Sequence, residues 1–346
     1  MTRDAYKDAG VDIDAAMRTK DKIRGMVRST FGPEVLTDIG SFGGLFMPDF
    51  SDMERPVLVS SADGVGTKLK VAYMTGRHDT VGADLVNHCA NDILVMGARP
   101  LFFLDYLAYA KHDDAVVTAV IAGLTDACRA NGCALTGGEM AELPDLYSVG
   151  EYDLAGVIIG VVDENSILDG SLAEEGDVIL GLASSGLHTN GYTLARKIVF
   201  QAAGLTADAA FPGADATVAD VLLAVHRSYG PSVIPLLQSG AVHAMAHITG
   251  GGFPGNVVRT LPKHLDAVID LDAWTPSVLF TFLGMTGGLS EFELYRTFNM
   301  GVGMTVTVAR DSAEEAAEAL VKSGETVYEI GRIEAGSGEV RLVHGL

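Results

Sequence analysis

The stretch SSADGVGTKLK, at residues 60–70, directly follows the apolar run PVLVS (56–60), which predicts a buried strand. Its glycines and its lysine are residue types found in phosphate-binding loops. A P-loop, however, places its lysine directly after its second glycine, and here Thr67 separates Gly66 from Lys68. The third glycine of the dinucleotide-binding pattern is missing as well. The stretch therefore predicts a strand that ends at an acidic glycine turn, without either of the common nucleotide-binding motifs.

The composition is that of a large globular protein with an acidic surface. Of the 346 residues, 48% are hydrophobic and 20% are charged, and the formal net charge is −21. Such a length suggests about two domains. Because both halves of the chain are acidic, we expect no nucleic-acid-binding face, and an anionic substrate would need local basic groups or metal ions.

Cysteine use and hydropathy predict a cytoplasmic protein. The cysteines Cys89, Cys128 and Cys133 form no C-x-x-C pair, which fits a reducing compartment and no zinc cluster. The start of the sequence has no apolar signal core. The longest apolar run, AGVIIGVV at 155–162, is too short to span a bilayer, so we expect no membrane segment.

Helical and strand patterns alternate along the chain, which predicts a mixed α/β or α+β class. A polar, turn-rich stretch at 163–176 separates two such series, so we place a domain boundary there, with domains at 1–168 and 169–346. The expected helices are 15–27, 79–97, 114–132, 190–204 and 312–324, and the expected strands are 56–60, 101–109, 133–139, 152–162, 177–184, 266–271, 301–309 and 326–334.

The predicted helix at 79–97 carries a carboxylate among apolar residues. At about 100° per residue, Val81, Leu85, His88 and Asp92 share one stripe of this helix. An unpaired buried charge is very costly, so Asp92 must be compensated. The compensation is either a hydrogen bond or ion pair elsewhere in the fold, or a metal ion.

Two further acids stand at glycine turns after strand patterns. Asp63 follows PVLVS in SADGVG, and Glu139 follows CALT in TGGE. With Asp92 they offer three oxygen donors, the ligands that Mg²⁺ prefers where it bridges substrate phosphates. Each acid alone is more often a turn cap. The pattern therefore predicts a magnesium site only if the three carboxylates converge.

Basic and glycine-rich segments complement these acids. Lys68 either reaches a phosphate as a point charge or is an ordinary solvated lysine. Gly43 and Gly44, in DIGSFGGLF (38–46), either free backbone N–H groups for an anion or only make a turn. Arg24, on the preceding helical pattern, is either a phosphate contact or, more simply, a surface charge.

Two histidines lie beside glycines, just before helical patterns. His188, in SSGLHTNGYTL (184–194), stands at an expected helix start, which makes it a candidate for acid–base chemistry or for contact with a phosphate. His247 and Thr249, in AHITGGGFPGN (246–256), stand at another. The simpler interpretations are a histidine in a surface loop and a flexible glycine turn.

Together these motifs resemble those of the aminoimidazole ribonucleotide synthetase family, also called the phosphoribosylformylglycinamidine cyclo-ligases. The similarity runs from Tyr6 to about Ile333, nearly the whole chain. The motifs that carry it are, in order, YKDAGVDID (6–14), DGVGTKL (63–69), RHDTVGADLV (77–86), GARPLFFLDY (97–106), GGEMAELP (137–144), SSGLHTNGY (184–192), AHITGGGFPGN (246–256) and YRTFNMGVGM (295–304).

The resemblance implies a fold, partners and a reaction. Family members are homodimers whose N-terminal domains pair through a shared β-barrel, and each N-terminal domain is followed by an α+β C-terminal domain. The implied reaction, a step of purine biosynthesis, converts formylglycinamidine ribonucleotide and ATP into 5-aminoimidazole ribonucleotide, ADP and phosphate. ATP is expected to phosphorylate the formyl amide oxygen, after which the amidine nitrogen attacks that carbon and closes the ring.

The resemblance also implies site residues. DGVGTK would be a nucleotide–Mg²⁺ loop in which acids hold the metal, so that no P-loop is needed. Arg24 stands where some relatives are expected to have lysine, so a planar guanidinium group replaces a compact ammonium group. The implied Mg²⁺ ligands are Asp63, Asp92 and Glu139; the implied ATP-binding residues are Arg24, Gly43, Gly44, Asp63, Gly64, Gly66, Thr67, Lys68 and Thr249; and the implied catalytic residues are His188, Asp92 and His247.

Other members of the superfamily are the alternatives. A selenophosphate synthetase would carry a reactive cysteine or selenocysteine near its N-terminus, but no cysteine precedes Cys89. The hydrogenase-maturation relative has a cysteine-bearing tail, whereas this sequence ends RLVHGL. Thiamine-monophosphate kinase shares the acids but would not explain YKDAGVDID or SSGLHTNGY. A non-catalytic nucleotide-binding scaffold would be expected to lack one of the acids or His188.

Overall fold

The computed structural model describes residues 5–8 and 10–346. Residues 1–4, in the expected first domain, and residue 9, in the motif YKDAGVDID, lie outside this part of the chain. The helices are α1 (Ala5–Asp8), α2 (Ile13–Arg28), α3 (Leu69–Thr75), α4 (Val81–Leu94), α5 (Asp114–Ala130), α6 (Tyr192–Arg196), α7 (Val218–Leu222), α8 (Gly230–Leu237), α9 (Gly252–Val257), α10 (Val278–Gly287), α11 (Glu291–Thr297) and α12 (Ala313–Lys322). The strands are β1 (Pro56–Gly64), β2 (Arg99–Tyr109), β3 (Ala134–Glu142), β4 (Tyr152–Asp163), β5 (Val178–Ala183), β6 (Val242–His247), β7 (Leu265–Asp270), β8 (Val302–Val308), β9 (Val327–Ala335) and β10 (Val340–Val343).

The first four strands form an open sheet in the order β1-β4-β2-β3. Only β2 and β3 run parallel; the other neighbours are antiparallel. Helices α4 and α5 pack on each other beside this sheet. Gly82 allows their close approach, because a Cβ at this position would collide with the backbone of α5 at Val120 and Leu124. The helix pair buries the apolar face of the sheet, including Phe103 and Leu107.

The later strands form a six-stranded sheet in the order β10-β7-β9-β5-β8-β6. Strands β10 and β7 are parallel, and the remaining pairs are antiparallel. Every residue of β8 is buried, as expected for a central strand covered on both faces. This sheet carries His247 at the end of β6, next to the first sheet's helix α4.

The mixed class predicted from the sequence is confirmed, and the expected strands and helices fall close to the observed ones. One expectation was wrong: the helix at 190–204 is α-helical only over Tyr192–Arg196 and continues as a π-helical turn, Lys197–Ala202. The N-terminal sheet of the described residues is open, and the β-barrel shared between two protomers stays a prediction. The domain boundary after residue 168 stays a prediction, although it falls in the connection between β4 and β5.

The outer face of the N-terminal sheet is apolar and accessible. Leu58 on β1, Val157 on β4 and Tyr106 on β2 are 65%, 37% and 41% exposed, respectively. Their strands are neighbours, so these side chains share one surface. No helix in the described residues is long and apolar enough to cross a membrane.

Candidate functional site at the junction of the two sheets

Helix α4 carries a row of polar residues into the junction between the two halves of the fold. Asp84, Asn87, His88 and Asn91 are buried and recur at the spacing that places residues on one side of a helix. The sequence pattern indicated His88 and Asp92 on this helix but did not single out the other three. The helix is therefore not simply apolar on its inner face; it presents hydrogen-bonding groups to the C-terminal half.

These groups bind the backbone of a C-terminal loop between α7 and α8. The carboxylate of Asp84 accepts a hydrogen bond from the backbone N–H of His226, with N and Oδ1 2.7 Å apart. The amide of Asn87 donates to the carbonyl of His226, also at 2.7 Å. The amide of Asn91 donates to the carbonyl of Arg227 at 2.8 Å. Since buried backbone groups need partners, this pairing fixes the loop, and with it His226, against α4.

Two of the predicted acids, Asp63 and Asp92, meet at the edge of this junction. Asp63 Oδ2 lies 3.1 Å from His88 Nε2. Asp92 Oδ1 lies 2.8 Å from His247 Nδ1, and Asp92 Oδ2 accepts a hydrogen bond of 3.0 Å from the hydroxyl of Ser61. The structure thus brings together three of the residues singled out in the sequence, Asp63, Asp92 and His247, and adds His88 to them.

The histidines keep these carboxylates ionised. Burial opposes ionisation of Asp63, but the hydrogen bond and charge of His88 outweigh it and lower the pKa of the carboxyl group. Burial opposes ionisation of Asp92 as well, and its hydrogen bond with His247 again lowers the pKa. Burial disfavours a charge on His88, but its hydrogen bond with Asp63 and the charges of both acids raise its pKa. Each carboxylate thus has a histidine partner, but burial lowers the pKa of His247 whereas the pKa of His88 is raised.

The carboxylate pair fits a divalent cation. The side chains of Asp63 and Asp92 are 42% and 27% exposed, so both remain accessible beside their buried histidines. Each carboxylate oxygen has a second lone pair, which leaves room for a cation in addition to the protein hydrogen bonds. His88, Asp92 and His247 also place ligand atoms within 4.8 Å of one another.

His188 lies deep in the junction rather than in a surface loop. It is 1% exposed, and its ring stacks on that of His226, with centroids 4.0 Å apart and an angle of 20° between the planes. Burial lowers the pKa of both imidazoles well below the ordinary value. Because the in-plane lone pairs of stacked rings run nearly parallel, His188 and His226 do not converge on a shared metal ion. The backbone of His188 is left-handed, with φ 62°.

Lys68 does not have the place that the motif suggested. Its side chain is fully buried and its Nζ lies 2.8 Å from Oδ1 of Asp84. Nζ also donates to the carbonyls of His188, at 3.1 Å, and Ala224, at 2.7 Å. An ammonium group has three N–H donors, and all are used here. Lys68 is an internal ion that joins the two halves of the fold, and the expected phosphate contact stays a prediction.

The neighbours of Lys68 in the same motif lie nearer the surface. The backbone N–H of Gly64 donates to Oδ1 of Asp63 at 2.6 Å. Gly66 has a φ of 68°, a conformation that favours glycine, and turns the chain away from β1. The hydroxyls of Thr67 and Thr193 lie 2.9 Å apart, so this loop touches the C-terminal half. Roles for Gly64, Gly66 and Thr67 in binding a nucleotide stay predictions.

Thr249 lies on the C-terminal side of the junction, two residues after His247. Its hydroxyl donates to Oδ1 of Asn256 at 3.2 Å, within the glycine loop that precedes α9. Asn190 lies beside this loop, and its buried Nδ2 has no hydrogen-bond partner in the described part of the chain. An unused hydrogen-bond donor therefore lies beside this loop, and a role for Thr249 itself stays a prediction.

Glu139 is separated from the other two acids by the order of the strands. Asp63 pairs with Gly156 on β4, which pairs with Asp105 on β2, which in turn pairs with Gly138 on β3. Three strand spacings place the region of Glu139 roughly 14 Å from that of Asp63. The expected three-carboxylate metal set therefore does not form within one chain.

Glu139 instead lines a cavity, here called the second cavity because it is separate from the junction, together with the glycine loop at 38–44. This cavity has a volume of about 630 Å³, and Gly43, Gly44 and Asp105 also line it. Burial raises the pKa of Asp105 to about 7. Arg24 lies nearby on α2, where its guanidinium is 3.3 Å from Asp21. The cavity combines apolar walls with a few acidic and backbone groups, as small-molecule sites do.

Comparison with known proteins identifies the family. The models described as "AIR synthase related protein, N-terminal domain" and "AIR synthase related protein, C-terminal domain" match residues 51–162 and 174–344. A phosphoribosylformylglycinamidine cyclo-ligase of Geotalea uraniireducens (strain Rf4) is 49% identical over 345 residues, 99% of each chain. One of Trichlorobacter lovleyi is 48% identical over 333 residues, 96% of this chain and 95% of the other. The chain belongs to the phosphoribosylformylglycinamidine cyclo-ligase family. It is a ligase, as the motifs predicted.

Solved structures show the same fold in more distant proteins. A thiamine-monophosphate kinase from Stenotrophomonas maltophilia K279a matches with a TM-score of 0.69 and 21% identity over 93% of this chain and 94% of its own. The hydrogenase maturation protein HypE in complex with ATP matches with a TM-score of 0.68 and 18% identity over 97% of this chain and 93% of its own. At such identities the likeness concerns the fold alone.

Proposed function

We propose that the chain closes the imidazole ring of formylglycinamidine ribonucleotide at the expense of ATP, giving 5-aminoimidazole ribonucleotide, ADP and phosphate. The observation that carries this proposal is the 49% identity, over 99% of both chains, to an enzyme named for this reaction. ATP transfers its terminal phosphoryl group to the formyl amide oxygen. The amidine nitrogen then bonds to the same carbon, loses a proton, and phosphate leaves with the oxygen.

The junction between the sheets is the place we propose for this chemistry. Asp63 and Asp92 would hold Mg²⁺, which neutralises phosphate oxygens during phosphoryl transfer. His88 Nε2 and His247 Nδ1 hold the two carboxylates from behind, at 3.1 and 2.8 Å, and leave their outer edges accessible. His188, with only 1% of its surface exposed, contributes by stacking against His226 rather than by direct contact with the substrate.

ATP would bind in the cavity lined by Glu139, with its phosphates directed toward the acidic residues at one edge of that cavity. Gly43 and Gly44 lie in its loop wall, and Glu139 lines the same space. Because Glu139 lies far from Asp63 in one chain, we propose that it holds a separate cation on the nucleotide. Arg24 is a further phosphate candidate, since its guanidinium is only partly exposed and Nε has no partner in the described residues.

The proposed assembly is a homodimer that pairs the outer faces of two N-terminal sheets. Support comes from the apolar residues of that face, with Leu58 as the most exposed at 65%. Two open four-stranded sheets have edges that only pairing or closure can satisfy, and a shared barrel would do both. A cytoplasmic location stays a prediction from the sequence.

The deciding experiment is an assay of the purified protein with formylglycinamidine ribonucleotide, ATP and Mg²⁺. We expect a diazotisable aminoimidazole to form, with one phosphate released for each ring closed. Thiamine monophosphate and selenide serve as competing acceptors in parallel reactions. Formation of thiamine diphosphate or of selenophosphate, with no aminoimidazole from the proposed substrate, would overturn the assignment while leaving the fold-level relationship intact.

A further inference from the structure

His226 lies at the centre of the junction, although no sequence motif singled it out. It is fully buried, and its Nε2 lies 3.0 Å from Nε2 of His247. On its other side, Nδ1 lies 3.3 Å from the hydroxyl oxygen of Thr189, which is 2.6 Å from Nδ1 of His88. His226 thus stands between the histidine that contacts Asp92 and the histidine that contacts Asp63.

The position of this ring is set by α4 rather than by its own loop. Asp84 and Asn87 bind the backbone N–H and carbonyl of His226, at 2.7 Å each. His188 stacks on one face of the ring, with centroids 4.0 Å apart. Backbone bonds on both sides and a stacked neighbour leave the imidazole little freedom, so it is held as a fixed support.

Asn91 also contacts the ring of His226. The side-chain oxygen of Asn91 accepts from the backbone N–H of Tyr229 at 3.1 Å, and its nitrogen donates to the carbonyl of Arg227 at 2.8 Å. These backbone partners fix the amide orientation, which turns Nδ2 toward Nε2 of His226 at 3.2 Å. Asn91 thus packs against the same edge of the His226 ring that meets His247.

The position of His226 Nε2 determines how His247 is held. The two Nε2 atoms lie 3.0 Å apart and share one hydrogen bond. The opposite side of the His247 ring then faces Asp92, with Nδ1 2.8 Å from Oδ1. An imidazole gripped at both nitrogens cannot rotate or flip, and outer partners of this kind orient the groups that do the chemistry.

We propose that His226 is a positioning residue of the reaction: its Nε2 forms a hydrogen bond with Nε2 of His247 and so fixes the carboxylate of Asp92. The proposal rests on the proposed function for its effect on turnover. The fixing of His247 itself is a property of the folded protein and is measurable without any substrate.

Two substitutions separate positioning from mere space filling. In His226→Gln, the side-chain amide reaches the place of Nε2 and supplies a hydrogen-bonding group there. In His226→Asn, the shorter amide reaches only the place of Nδ1. We expect the asparagine variant to lose about 10- to 100-fold in kcat, as loss of an orienting partner typically does, and the glutamine variant to retain most of it. The free energy of unfolding is measured for both by urea denaturation.

A direct readout comes from NMR of the protein labelled with ¹⁵N in its histidines. We expect the Nε2 signal of His247 to move strongly in His226→Asn and to stay near its wild-type position in His226→Gln. His243→Gln and His243→Asn serve as controls, because His243 lies on the same strand but pairs with Asp177, at 2.7 Å, outside the junction. Both controls should leave kcat and the His247 signal unchanged.

The possible results test the positioning role of His226 separately from the proposed reaction. Equal losses of kcat in the two His226 variants, in proportion to their losses of stability, would reduce His226 to a packing residue. An unmoved His247 signal in His226→Asn would overturn the proposal outright. If the wild-type protein has no cyclo-ligase activity, the NMR comparison still tests whether His226 positions His247. Only the expected effect on kcat is then lost together with the proposed function.

Discussion

Lys68 and Asp84 form an ion pair that is closed to solvent, with Nζ 2.8 Å from Oδ1 and neither side chain exposed. Burial lowers the pKa of the lysine and raises the pKa of the aspartate, and each partner opposes the shift of the other. The second oxygen of Asp84 has no hydrogen-bond partner in the described residues. Each of the two buried charges is therefore stable in the folded protein chiefly because the other charge compensates it.

We expect Lys68→Met to destabilise the protein by about 3–5 kcal/mol, because it leaves the Asp84 carboxylate buried and unpaired. The free energy of unfolding, measured by urea denaturation, tests this. Lys70→Met is the matched control: Lys70 pairs with Glu151 at the surface, where such pairs contribute about 1 kcal/mol or less. Similar small decreases in the free energy of unfolding of both variants would show that the buried ion pair does not stabilise the junction.

The left-handed backbone of His188 allows strain and chemistry to be separated. His188→Ala and His188→Gly both remove the ring that stacks on His226, so turnover should fall in both. Glycine adopts a φ of 62° without strain, whereas alanine does not, so the glycine variant should be the more stable by about 1 kcal/mol. Unfolding and kcat are measured side by side. Wild-type turnover in either variant would contradict a role for the ring.

The carboxylate of Asp92 should be required for binding of Mg²⁺–ATP if it holds the cation. In Asp92→Asn, one oxygen remains but the charge is lost, and the hydrogen bond with His247 weakens. We expect calorimetry to give at least about tenfold weaker binding of Mg²⁺–ATP, with little change in binding of ATP alone in EDTA. Asp126→Asn, at an exposed position of α5, is the control. Unchanged affinity in Asp92→Asn would remove this residue from the metal site.

Asp105 should make stability depend on pH. Burial raises its pKa from 3.8 to about 7, so the folded state favours the protonated form. Below about pH 4 the group is protonated in both states, and stability falls as pH rises toward 7, by at most about 4 kcal/mol. Asp105→Asn should flatten the dependence of the unfolding free energy between pH 4 and 8. Asp145→Asn, at an exposed position, should keep the wild-type slope. A slope unchanged in Asp105→Asn would refute the assignment.

The sequence was informative wherever a pattern was local. The strand at 56–60 and the helix at 79–97 follow from periodicity, and Asp63 and Asp92 stood out as acids at a strand end and within an apolar stripe. Those two residues do meet in the structure. Local patterns thus identified the metal candidates on the N-terminal sheet, because each was marked by its immediate neighbours.

The other features of the site depend on contacts between residues that are far apart in the sequence, and local sequence patterns give little indication of such contacts. Lys68 resembled a phosphate contact because its loop contains glycines, but its partner Asp84 and the carbonyl of Ala224 become neighbours only in the folded chain. Glu139 resembled a third ligand, and the strand order that separates it from Asp63 cannot be derived from periodicity. The polar residues at 84, 87 and 91, recurring inside an apolar helix, were the one available sign of a buried docking surface.

The outer face of the N-terminal sheet should determine the oligomeric state. Leu58 is 65% exposed on β1, and replacing it with lysine would place a charge in the centre of the proposed sheet-to-sheet contact. A buried, unpaired ammonium group costs far more than the remaining apolar contact supplies, so Leu58→Lys should shift the protein from dimer to monomer. Light scattering at several concentrations measures this. Leu172→Lys, at an exposed leucine beyond the N-terminal sheet, should leave the mass unchanged. A wild-type protein of monomer mass, or a Leu58→Lys variant that remains dimeric, would show that this face is not the interface, and the shared-barrel arrangement would have to be abandoned.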